Sequence, residues 1–187
     1  MSNTEKRGLH TKSLILTALS AAFISVCSWI TVPAAVPFTL QTFAIFCIAG
    51  IFGGKLGTNA VLVYILLGAV GLPVFSGFRG GAGVLFGATG GYIIGFVVFM
   101  LLYRTITAAF GTGAVSMLAA MLCGMLFCYA FGTLWFITIY TEKGGIDFFS
   151  ALKLCVLPFL LFDAIKLAAA FFVIRSVRAK LPDICVK

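Results

Sequence analysis

The stretch Leu157-Pro158-Phe159-Leu160-Leu161-Phe162-Asp163-Ala164-Ile165-Lys166-Leu167-Ala168-Ala169-Ala170 decides how this chain is read. It lies inside an apolar run over 148–174. At ~1.5 Å per helical residue, that run exceeds the ~30 Å hydrocarbon thickness of a bilayer, so it predicts a transmembrane helix. A charge at the centre of such a helix costs ~2.5–3.5 kcal/mol on insertion scales, and such residues normally face a bundle interior or a cavity. Asp163 and Lys166 are three apart, so they present an acceptor and a donor on one helical face, with Phe159 and Phe162 one turn earlier. Pro158 loosens the helix at that point. Two readings stand open for the charges: an ion pair that locks the helix to its neighbours, or a site for a polar ligand, substrate or proton.

The rest of the composition agrees with a membrane protein. Of 187 residues, 62% are hydrophobic and 10% charged, with a mean hydropathy of +1.18. Apolar runs recur along nearly the whole chain, which gives room for about six spans with short connections and for no water-soluble domain. Any energy source beyond an ion gradient is expected to come from another chain. The net charge of +8 does not point to nucleic acid, because the cations flank the apolar runs. The cysteines (27, 47, 123, 128, 155 and 185) form no Cys-x-x-Cys, and the single histidine, His10, lies in the leader, so neither a zinc site nor a disulfide framework is indicated. The first apolar run is too long for a signal peptide and shows no convincing cleavage site, so it is kept as helix one.

In order, a polar leader over 1–11 precedes helix one at 12–31. There Ala18-x-x-x-Ala22 forms a small-residue pair suited either to packing within the bundle or to docking on a partner. Prolines 33 and 37 mark a connection. Two short helices follow at 39–52 and 58–70, separated by Gly53-Gly-Lys-Leu-Gly57. Short apolar segments beside Gly/Pro-rich connections resemble cavity-lining structure in transporters. The glycine-rich segment 71–92 has Arg79 as its one charge, open to two roles: an interfacial anchor on lipid phosphate or a fork for a carboxylate. It contains no phosphate-loop pattern. Helix four is expected at 88–109, with Gly87, Gly91 and Gly95 spaced for close packing. Helix five is expected at 113–140, where Trp135 reads as a belt or core aromatic or as a ligand platform. Helix six is the run over 148–174.

The cations set the topology. Lys6, Arg7, Lys12, Lys55, Arg104, Arg175, Arg178, Lys180 and Lys187 fall on one side of such a bundle, and Arg79, Lys143 and Lys153 on the other. The positive-inside rule then places both termini in the cytoplasm. The loops at 33–37, 71–83 and 142–147 lie outside, where they can enclose a pocket above Asp163 and Lys166.

Val36-Pro-Phe-Thr-Leu-Gln41, Gly71-Leu-Pro-Val-Phe-Ser-Gly-Phe-Arg-Gly-Gly-Ala-Gly83, Thr89-Gly-Gly-Tyr92, Gly132-Thr-Leu-Trp135 and the Pro158, Asp163, Lys166 spacing resemble the BioY family. Those proteins are the biotin-specific S components of energy-coupling-factor (ECF) transporters. The resemblance runs from about residue 12 to 175 and departs at Ala88, where the family pattern has proline. It implies an all-α integral membrane protein with six transmembrane helices in an S-component-like bundle. A single domain over 12–175 would lie between the leader and a basic tail over 176–187, in the cytoplasmic membrane of a prokaryote. It implies high-affinity biotin capture from outside, followed by transport with an ECF module, made of a transmembrane coupling subunit and two ATPase subunits. Helix one, through Ala18 and Ala22, would be the docking face.

Biotin carries a ureido group, a fused apolar ring and a valerate carboxylate. In that frame Asp163 accepts from a ureido N–H, Lys166 donates to the ureido carbonyl, and Gln41 adds a polar contact. Arg79 and the backbone N–H groups of Gly80 and Gly81 hold the carboxylate, while Phe75, Phe78, Tyr92 and Trp135 cover the ring and alkyl chain. No cofactor is implied. The alternative is a self-sufficient, proton-coupled secondary transporter of a small polar vitamin. An enzyme is disfavoured, since no Gly-x-Ser-x-Gly and no second intramembrane carboxylate beside Asp163 is found.

Overall fold

Apolar runs that must satisfy every backbone polar group internally form helices, and helices make up most of the described residues. The computed structural model describes residues 3–33, 37–141, 145, 147–182 and 185. Helix α1 (Asn3–Trp29) leads into a short antiparallel hairpin of β1 (Thr31–Val32) and β2 (Phe38–Thr39), in which Thr31 pairs with Thr39 and Val32 with Phe38. Then come α2 (Gln41–Ala69), the single turn α3 (Ala82–Leu85), α4 (Gly90–Phe110), α5 (Ala114–Thr141), α6 (Phe148–Cys155) and α7 (Leu157–Lys180). The first helix begins at Asn3 rather than at the expected Lys12, so most of the expected leader is helical.

Although α2 is continuous by hydrogen bonding, it contains a reversal. Gly53 sits at φ 77°, ψ 170°, a conformation essentially reserved for glycine. Beyond it the chain runs back antiparallel to itself: Tyr64 hydrogen-bonds Gln41, and Gly57 packs on Ile48. The legs at 41–52 and 54–69 are therefore the two short helices expected, and the bundle has the six-helix plan. At ~1.5 Å per residue the first leg rises only about 18 Å, less than the bilayer core. The turn at its tip packs against α4, where Gly54 lies on Met100 and Arg104.

The other departure is in the last span, which is two helices. Val156 leaves helical geometry at φ −125°, ψ −53°, and Pro158, lacking an N–H, opens the first turn of α7. The break lets α6 cap the hairpin end of the bundle while α7 aims Asp163 and Lys166 into its interior. Helix α4 packs along α5, α1 along α2, and α2 against α4 and α7. The expected small-residue face of α4 meets α5, with Gly91 under Trp135 and Gly95 under Cys128.

The perimeter is lined with exposed apolar side chains, among them Leu62, Leu66, Leu101, Leu126, Leu161, Ile165 and Phe172. Among the described residues, five helical stretches are long and apolar enough to cross a membrane, α2 counting once despite its reversal and α6 with α7 counting as one. The chain is a multi-pass membrane protein.

The glycine-rich segment is tied down over the C-terminal end of α1. Trp29 donates from Nε1 to Pro73 O (2.8 Å), and Ser28 donates to Val74 O. Ser76 donates to Thr31 Oγ1 (3.0 Å), Phe75 N–H to Arg79 O (2.9 Å) and Gly81 N–H to Gly68 O (2.7 Å). Of the other two loops expected on the outside, residues 34–36, 142–144 and 146 lie outside the described set.

Candidate functional site

Residues from the β1–β2 hairpin, the first leg of α2, the glycine-rich segment, α4, α5, α6 and α7 enclose one cavity in the half of the bundle that carries the hairpin. Its free space is about 850 Å³ with the mouth included, but the centre of a water-sized sphere has only about 90 Å³. It is a narrow slot. Phe46, Phe75, Phe96, Phe99 and Phe159 form much of its wall, and Asp163, Lys166, Gln41, Thr42 and Tyr129 form a polar patch.

Asp163 (2% exposed) and Lys166 (7% exposed) are paired at 2.8 Å through Oδ1 and Nζ. A buried pair is tolerated only when its remaining donors and acceptors are satisfied, and here they largely are. Lys166 Nζ also donates to Thr39 O (2.6 Å) and Thr42 Oγ1 (3.1 Å), so all three ammonium donors are engaged. Thr42 passes its own hydrogen to Asp163 Oδ1 (2.7 Å), and Tyr129 donates to Oδ2 (2.6 Å). Oδ2 therefore keeps acceptor capacity while Lys166 has no unused donor. The Phe38 ring lies 4.0 Å from Lys166 Nζ, a cation–π contact, and is itself packed by Phe159 and Phe162.

Of the residues singled out in the sequence, Asp163, Lys166, Arg79, Gln41, Phe75 and Tyr92 line this cavity. Gln41 lies with them but donates from Nε2 to Tyr64 OH at 2.6 Å. Arg79 is exposed, with Nε on Ser76 O at 3.1 Å, and borders both the cavity and a shallower vestibule formed with Pro37, Gly83, Gly87, Ala88 and Thr89.

Four of the residues expected to contact the ligand lie elsewhere. Phe78 adopts φ 57° and turns outward, where it is 64% exposed and stacks on Trp29 at 5.0 Å. Trp135 covers Gly91 and donates from Nε1 to Gly87 O (3.0 Å), a helix-packing role outside the cavity wall. Gly81 has its N–H committed to Gly68 O, and Gly80 packs on the backbone of Gly71 and Leu72. Neither glycine lines the cavity. Ala18 and Ala22 are on the exposed face of α1 with Leu14, Ile15 and Val26, not in the core.

Thr39, Thr42, Tyr64, Tyr129 and Phe38 complete the polar centre and were not singled out from sequence. Tyr129 and Tyr64 carried a usable signal: a phenol in mid-span needs a hydrogen-bond partner, just as a charge does.

The BioY family model matches residues 1–183. The chain is 39% identical to "Biotin transporter BioY" of Thermotoga maritima, over 85% of this chain and 91% of that one. It is 37% identical to "Probable biotin transporter BioY" of Pyrococcus horikoshii, over 88% and 95% respectively. Among solved structures it resembles the S-component for biotin from an ECF-type ABC transporter, with TM-score 0.81 and 28% identity over 96% of this chain and 95% of that one.

Proposed function

The chain belongs to the BioY family, and from that premise we propose that it captures biotin from outside and carries it across the cytoplasmic membrane as the S component of an ECF-type ABC transporter. The observation that carries this reading is the buried Asp163–Lys166 pair at the polar end of an otherwise aromatic slot whose mouth holds Arg79. Biotin has the same order of groups: a hydrogen-bonding ureido head, an apolar middle and a carboxylate tail.

The ureido N–H groups donate to Asp163, whose Oδ2 retains acceptor capacity. The ureido carbonyl takes one Lys166 donor in place of Thr39 O or Thr42 Oγ1, so binding exchanges hydrogen bonds rather than leaving a charge bare. Phe75, Phe159 and Tyr92 flank the ring, and Gln41 supports the polar end through Tyr64. The valerate carboxylate reaches Arg79 at the border with the vestibule. The chain performs no chemistry of its own. Transport is driven by a coupling subunit and two ATPase subunits, which dock on the α1 face that carries Ala18 and Ala22, with both termini cytoplasmic.

Equilibrium dialysis of the purified chain against radiolabelled biotin tests the proposal. Saturable, stoichiometric binding that unlabelled biotin displaces is expected, and absence of binding by folded protein overturns it.

A further inference from the structure

A second polar cleft lies at the opposite end of the bundle, beside the Gly53 turn. It encloses about 620 Å³ with its mouth included and is lined by Lys55, Arg104, Arg178, Tyr103 and Thr112, among others, with no carboxylate among the described residues of its wall. Arg178 is already placed: Nε donates to Gly50 O (2.9 Å) and Nη1 to Thr112 O (3.1 Å), which pins α7 to α2 and to the turn between α4 and α5. A guanidinium has five N–H donors, so three remain. Tyr103 is 1% exposed and lines the cleft, with the Arg178 guanidinium beside its hydroxyl, which makes no well-aligned hydrogen bond. A buried phenol so poorly satisfied is costly, and three cations sharing one cleft repel one another. An anion with several acceptor oxygens relieves both.

We infer that this cleft binds the phosphate of an anionic lipid from the cytoplasmic leaflet. Its position favours a lipid over a soluble anion. Phe110 and Val115, two and three residues along the chain from the lining residues Ala108 and Thr112, are 78% and 82% exposed and offer acyl chains an apolar surface at this end of the bundle. The cation distribution assigns this end to the cytoplasm, and basic pockets at that depth suit anionic headgroups. The phosphate receives Arg104 and Lys55 from the rim, the free donors of Arg178 from the side and the Tyr103 hydroxyl from below. The site is independent of the biotin slot, since Arg178 lies about 18 Å along α7 from Lys166.

Native mass spectrometry of the full chain tests this, with phosphatidylglycerol and phosphatidylcholine offered at equal concentration. Wild-type protein should retain phosphatidylglycerol about tenfold in preference. A Lys55→Gln/Arg104→Gln variant should fall to near parity while binding biotin as the wild type does. Tyr103→Phe should lose several-fold of the preference, and it gives an independent reading if the double variant fails to fold. Parity in the wild type, full preference in the variants, or displacement of the lipid by millimolar inorganic phosphate would each overturn the proposal.

Discussion

Tyr129 on α5 donates its phenolic hydrogen to Oδ2 of Asp163 on α7 at 2.6 Å. This bond spans the head of an apolar groove lined by Leu122, Leu126, Leu160, Leu167 and Phe171, where α5 and α7 stand apart. Tyr129→Phe removes the bond and keeps the ring. A hydrogen bond to a charged group contributes about 1.5–3 kcal/mol, so stability in detergent should fall by that order. Thermal unfolding followed by tryptophan fluorescence checks this, and an unchanged midpoint would mean that the bond does not hold the two helices.

The buried pair gives a second prediction, which separates a structural from a ligand-binding role. Asp163→Leu alone strands the Lys166 ammonium and should cost about 3–5 kcal/mol. Replacing both residues, as Asp163→Leu/Lys166→Met, removes the stranded charge and should recover most of that loss. The double variant should nevertheless fail to bind biotin. If it folds and binds as the wild type does, the pair serves packing alone.

Arg79 tests the other end of the slot. It is exposed, so Arg79→Gln should leave stability within about 0.5 kcal/mol of the wild type. Losing a charge-assisted contact of about 1.5–3 kcal/mol should weaken biotin binding by roughly ten- to hundredfold. Biotin amide has no carboxylate and should bind the variant and the wild type alike. An equal loss for both ligands, measured by competition against radiolabelled biotin, would remove Arg79 from carboxylate recognition.

Most of the scaffold could be read locally, because local rules govern it. The i, i+3 spacing put Asp163 and Lys166 on one face, and Gly53 in a Gly-Gly-Lys-Leu-Gly run marked the reversal of α2. Pro158 marked the weakness that becomes the α6–α7 break. The partners of the pair were not legible, since Thr42 and Tyr129 reach Asp163 only through the relative register of α2, α5 and α7, which no single segment encodes. The aromatics were underdetermined for a related reason. Phe78 reads in sequence as a cover for the ligand, but its positive φ swings the ring onto Trp29. Trp135 reads either as a belt or core aromatic or as a platform, and the hollow that Gly91 leaves for its ring matches the core role. The short β1–β2 hairpin was hidden by the prolines at 33 and 37.

The reversal itself can be tested. At φ 77°, ψ 170°, any side chain at Gly53 is strained, at a cost of about 1–3 kcal/mol. Gly53→Ala should lower the unfolding midpoint with little effect on the biotin affinity of the folded fraction, since the slot lies at the other end of both legs. A large loss of affinity at full stability would show that the turn and the slot are coupled.

The face of α1 separates capture from transport. Ala18 and Ala22 are exposed on one stripe, and small residues there let another helix approach closely. Ala18→Trp/Ala22→Trp adds bulk that the chain's own core does not meet, so folding and biotin binding by the isolated protein should be unchanged. A docked coupling helix would be pushed away, and ATP-dependent biotin uptake into liposomes containing the full transporter should collapse. If the lone chain instead takes up biotin without ATPase subunits, and collapsing a proton gradient stops it, the Asp163–Lys166 pair would belong to a proton-coupled cycle. Normal uptake by the tryptophan variant in the full transporter would place the docking face elsewhere on the bundle.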